Sequence, residues 1–128
     1  MRRLLWALAV AALVVPATAL AGGWATVQLS STPKGIAAGA PWNVRVTVLQ
    51  HGVTPLGDVK PVVRIRRGDV RRAFPARPTG ETGVYAARVV FPSAGVWRYA
   101  VWDGFVEYDG ARTHTFAPVR IAPRGTVR

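Results

Sequence analysis

The chain contains no cysteine. Disulfides, thiol catalysis, thiolate metal sites and lipid attachment at an N-terminal cysteine are therefore excluded. Carboxylates are scarce: Asp58, Asp69, Glu81, Asp103, Glu107 and Asp109 are all there are, against 17 Lys plus Arg, for a formal net charge of +11 over 128 residues. The four aspartates each adjoin a glycine, where Asp has a conformational job in turns, so a paired-carboxylate glycosidase is not expected. Ser30, Ser31 and Ser93 sit in no Gly-x-Ser-x-Gly elbow, and no phosphate loop or dinucleotide fingerprint occurs. The expectation is a protein that is not an enzyme.

Half of the residues are hydrophobic and only 18% are charged, a balance that favours one compact domain over a solvated chain. The N-terminus reads separately. Met1-Arg2-Arg3 is a cationic head, Leu4 to Val15 an apolar run, Pro16 a helix breaker, and Ala17 to Ala21 a stretch of mostly small residues. This is the pattern of a secretory signal peptide, with cleavage after Ala21 and Ala19 as the alternative site. The other reading is an uncleaved anchor. As a helix, Leu4 to Ala21 would span about 27 Å, a little short of the roughly 30 Å bilayer core. Removal of residues 1–21 leaves 107 residues and, without Arg2 and Arg3, a charge of +9. The division expected is signal segment 1–21, one domain over 22–123 and a flexible basic tail over 124–128. The protein is then exported: periplasmic, extracellular, or membrane-associated through an uncleaved helix.

Beyond the signal the dominant pattern is alternation with period two, interrupted by Gly and Pro, and no segment holds a helical period. Strands are expected over Ala25–Leu29, Trp42–Val48, Val63–Arg66, Val70–Phe74, Tyr85–Phe91, Trp97–Val101 and Thr113–Ala122. Pro75 and Pro78 place the fourth at a sheet edge. Asp103-Gly104 reads as a turn, and Asp109-Gly110 as a second one that folds Val106–Tyr108 against Arg112–His114. Parity changes at Ala117-Pro118, so that Phe116, Val119 and Ile121 all face inward only if a bulge sits there. About seven short strands without a helix predict an all-β, immunoglobulin-like antiparallel sandwich preceded by the signal helix, with a small barrel as runner-up. Tyr85, just after Gly83, is placed to act as a tyrosine corner.

Gly83-Val84-Tyr85, Phe91 and Gly95-Val96-Trp97-Arg98-Tyr99 resemble the strand, glycine turn and Trp strand of the YtkA-like family of bacterial envelope proteins, in the FixH and CopC-like sandwich group. The resemblance covers roughly Trp24 to Ile121 and implies a sandwich fold at the cell envelope. It also implies a copper-handling alternative, although the His and Met clusters that such relatives carry near the mature N-terminus are replaced here by Gly22-Gly23-Trp24.

The candidate metal ligands are His114 and His51, for copper or zinc; the sequence does not bring them together, and His114 with Glu107 or Asp109 is the closest grouping it allows. Without such a site no cofactor is expected. The positive charge carries more physical content. Arg45, Arg64, Arg66, Arg88, Arg98 and Arg120 alternate with apolar neighbours and so belong on outer faces. Arg64, Arg66, Arg67, Arg71 and Arg72 crowd around one turn, opposed only by Asp69, as a cationic ridge for an anionic surface. Export argues against nucleic acid. The expected partners are lipid headgroups, a wall polymer or an envelope protein, and the sequence fixes no oligomeric state. A second candidate is an aromatic loop patch of Trp102, Phe105 and Tyr108, for a carbohydrate or protein; packing of those rings over the sandwich end is the plainer reading. The function expected is that of a non-enzymatic binding or accessory module at the cell envelope.

Overall fold

A computed structural model describes residues 24–107 and 110–125. The expected signal segment, Tyr108, Asp109 and residues 126–128 lie outside the described residues. Ten strands follow in order: β1 (Ala25–Leu29), β2 (Pro41–Gln50), β3 (Thr54–Pro55), β4 (Val62–Arg67), β5 (Val70–Pro75), β6 (Arg77–Pro78), β7 (Val84–Val90), β8 (Gly95–Trp102), β9 (Thr113–Thr115) and β10 (Val119–Ile121). They form two antiparallel sheets rather than a closed barrel. The first runs β1-β2-β7-β6 with β3 also on β2, and the second β10-β8-β4-β5 with β9 also on β8. No helix among the described residues is long and apolar enough to cross a membrane.

The alternation explains why these segments are strands. In β2, Trp42, Val44, Val46 and Val48 are buried while Pro41, Asn43 and Arg45 are exposed. The inward residues of the two sheets form one buried cluster: Val44, Val46, Val48, Tyr85, Ala87, Val89 and Phe91 from one, Val63, Ile65, Trp97, Tyr99, Val101 and Ile121 from the other. Aromatic rings cross the gap, with Trp42 edge-on to Tyr99 at 5.5 Å and Phe91 edge-on to Trp97 at 5.6 Å. Those contacts add specific geometry to the buried area that drives folding.

The parity shift at Ala117-Pro118 is real. Residues 113–115 pair with 102–100, but Val119 pairs with Trp97, so one extra residue has entered the β9–β10 side of the ladder. Phe116 consequently stacks on Tyr99, with ring centroids 5.4 Å apart, and Ile121 is buried. The second expected hairpin does not form among the described residues: Val106 and Glu107 belong to no strand and Thr113 pairs with Trp102, although the Gly110 N–H does donate to the Glu107 carbonyl at 2.9 Å. The reason is Asp103, whose backbone N–H donates to the Arg112 carbonyl at 3.0 Å and closes the loop at its base. Gly104 completes that corner. Its φ of +72° suits glycine, and a Cβ there would lie 2.7–2.8 Å from backbone atoms of Lys60.

Tyr85 does not form a tyrosine corner, which bonds to backbone only a few residues upstream. Its hydroxyl donates to the Leu56 carbonyl at 2.6 Å and accepts from the Val59 N–H at 3.3 Å, tying down the loop that leads into β4. Tyr85→Phe is expected to cost about 1–2 kcal/mol, because both backbone groups lose a partner beside the core. Chemical denaturation measures this, and an unchanged midpoint would show that the hydroxyl does not hold the loop.

Candidate functional site

The outer face of the second sheet carries a cluster of arginines, and the register decides which of them meet. Ile65 points into the core, so Arg64 and Arg66 point out. Arg66 lies directly opposite Arg71 on β5 and Arg98 on β8. Three arginines thus stand side by side across three adjacent strands. One row further along, Arg64 is flanked by Ala73 and Ala100, and Thr115 lies beyond Ala100 on β9. Small side chains between long ones leave a shallow trough of about 620 Å³, floored by the alanines, walled by Arg64, Arg66, Arg71 and Arg98, and bordered by Arg72. No carboxylate lines it. Like charges directly opposite on neighbouring strands destabilise a sheet, and the nearest acid is Asp69, which lines the adjoining hollow at the hairpin end with Arg66, Arg71 and Arg98.

The five-arginine ridge read from sequence is therefore divided. Arg64, Arg66 and Arg71 share the outer face, whereas Arg67 and Arg72 sit opposite Val70 and Ile65 on the other parity, Arg67 exposed at the end of β4 and Arg72 on the edge strand β5. Arg67 instead lies against Gly95 at the hairpin end. Arg98, absent from the expected ridge, joins it because β8 lies beside β4. Sequence spacing holds no signal for that neighbour.

The expected aromatic loop patch does not form as such. Phe105 is 2% exposed and belongs to the core, and Tyr108 lies outside the described residues. Trp102 is half-buried on the outer face of the second sheet, in the row next to Arg64. The Arg64 guanidinium carbon sits 5.7 Å from the centroid of its ring, within cation–π range. Trp102 thus belongs with the arginines.

Sequence reasoning assigned Asp103 only to a turn. It is 0% exposed, and every described bond to its carboxylate is a donor: the Phe105 N–H at 2.8 Å, the Arg112 N–H at 3.3 Å and Nε2 of His114 at 2.8 Å. His114 reaches it because it pairs with Val101 and so faces inward at the sheet end, its side chain 24% exposed. Of the grouping expected with His114, Asp109 lies outside the described residues, and Nε2 of His114 is engaged by Asp103. His51 lies elsewhere in a tight turn after β2, with φ +53° and its ring 4.9 Å from that of Trp24. Among the described residues no three His, Cys, Asp or Glu side chains cluster as a metal site would require.

No protein-family model matches the chain, and no curated protein matches it. Several solved chains are similar. Among them is a superoxide reductase, neelaredoxin, from Ignicoccus hospitalis, with 18% identity, a TM-score of 0.45, and coverage of 84% of this chain and 86% of that one. A likeness at that level carries no inference about chemistry.

The two features differ in what they can do. Asp103 is saturated with hydrogen bonds, which fixes the 103–112 loop and orients His114, but no hydroxyl nucleophile is bonded to that imidazole. The arginine trough is open, has no carboxylate in its lining and is built on paired strands, an arrangement that suits an anion receptor.

Proposed function

We propose that the protein is an exported, non-enzymatic, immunoglobulin-like module that binds an anionic component of the bacterial cell envelope through the outer face of its second sheet. The observation that carries this reading is the Arg71–Arg66–Arg98 row, in direct cross-strand register beside a trough without a carboxylate. The cationic and apolar N-terminal pattern supports export, and the likeness of Gly83–Tyr85 and Gly95–Tyr99 to YtkA-like envelope proteins supports the compartment. The two-sheet architecture supports the immunoglobulin-like assignment.

Co-sedimentation with isolated bacterial envelope tests the proposal. The chain is expected to sediment with the envelope at low ionic strength and to be released progressively by salt, because exposed charges are screened within a Debye length of about 10 Å at 0.1 M. Reversal of Arg64, Arg66, Arg71 and Arg98 to Glu is expected to weaken binding at least tenfold. Equal sedimentation of the reversed chain would sink the proposal.

A further inference from the structure

We infer that the trough receives a segment of an acidic glycan, laid across the strands, with Trp102 holding Arg64 in place to bind it. This rests on the proposed anion-binding face and names its ligand. The first ground is shape. A planar bilayer meets the tips of protruding side chains, whereas the floor at Ala73 and Ala100 is recessed between arginines and is reached only by a chain or a small group.

The second ground is extent. Neighbouring strands are about 4.8 Å apart, so Arg71, Arg66 and Arg98 span about 10 Å, and Arg64 lies a further row along. Four guanidinium groups spread over that distance carry more charge than one carboxylate or phosphate neutralises, so they call for an oligoanion. The third ground is the lining. The apolar alanine floor suits the C–H face of a sugar ring, and the exposed Thr113 and Thr115 on β9 lie next to Trp102 and Ala100 to meet its hydroxyls. A polyphosphate uses neither feature.

Trp102 acts through Arg64. The ring under the guanidinium restricts a long, rotamer-rich side chain before any ligand arrives, which removes part of the ordering cost of binding. It is a positioning residue, and its loss reads out differently from a loss of charge. Arg66, between two like charges, is where binding and stability oppose one another. A ligand relieves the repulsion, and so does its replacement by an acid.

The test uses the purified chain with hexagalacturonate, maltohexaose, hexametaphosphate and phosphatidylglycerol vesicles as probes. Hexagalacturonate is expected to bind and to change a tryptophan fluorescence signal that Trp102→Phe alters. Maltohexaose is expected not to bind, and hexametaphosphate and the vesicles to bind at least tenfold more weakly. Trp102→Leu is expected to weaken hexagalacturonate binding about three- to tenfold and to flatten the fluorescence response. Arg66→Glu is expected to raise Tm by a few degrees at low salt while weakening binding at least tenfold, so its loss of affinity cannot come from misfolding. Equal or tighter binding of hexametaphosphate or of vesicles overturns the glycan assignment, as does unchanged binding by Arg66→Glu. Envelope binding without hexagalacturonate binding removes the glycan and leaves the anion-binding face standing; failure of both removes both.

Discussion

Asp103→Ala is expected to cost about 3 kcal/mol of unfolding free energy and to lower Tm by about 10–20 °C. Asp103 is fully buried, and its removal takes away the carboxylate acceptor of the Phe105 and Arg112 N–H groups and of Nε2 of His114. Loss of a buried acceptor costs about 1–3 kcal/mol per hydrogen bond, discounted here because Arg112 is exposed and His114 partly so. Asp103→Asn keeps an acceptor for Phe105 but turns an amide towards the other donors, and is expected to recover only about half of the loss. His114→Ala is expected to cost less than Asp103→Ala, since the carboxylate retains its two backbone donors. Thermal and urea denaturation measure all three variants. A loss below about 1 kcal/mol for Asp103→Ala would mean that the loop is closed by something else.

Alternation of residues along the chain fixes which face a side chain occupies, and this much was legible. Trp42 to Val48, Tyr85 to Phe91 and Trp97 to Val101 fall where period two puts them, and even the one-residue bulge before Val119 follows from the change of parity. What alternation cannot supply is the neighbour across the ladder. Arg66 and Arg98 are opposed only because β4 and β8 pair, a contact set by the long-range packing of two sheets. Asp103 was concealed for a related reason. Asp-Gly is a strong local turn signal, yet its carboxylate serves a closure nine residues long, from Asp103 to Arg112, with His114 just beyond. Phe105 misled in the same way, because a loop position adjacent to glycine says nothing about whether the loop folds back over the core.

Trp97→Ala is expected to be the most damaging single substitution, at about 3–5 kcal/mol. The ring is fully buried, edge-on to Phe91 at 5.6 Å, and its Nε1 donates to the Ser93 carbonyl at 2.8 Å. A domain of this size has about 5–15 kcal/mol in total, and this one has no cysteine with which to staple itself. The variant is therefore expected to sit near its unfolding midpoint at physiological temperature and to be cleaved rapidly by added protease. Trp97→Phe is expected to lose about 1–2 kcal/mol, keeping the contact with Phe91 and losing the bond to Ser93. Trp102 lies five residues along the same strand and therefore faces the other way, so Trp102→Leu is expected to change stability by less than about 1 kcal/mol while weakening the ligand. One strand then separates folding from binding by parity alone: denaturation should respond to Trp97 and fluorescence titration to Trp102. If Trp102→Leu unfolds the domain as readily as Trp97→Ala does, the outer face of β8 is part of the core and cannot be a receptor.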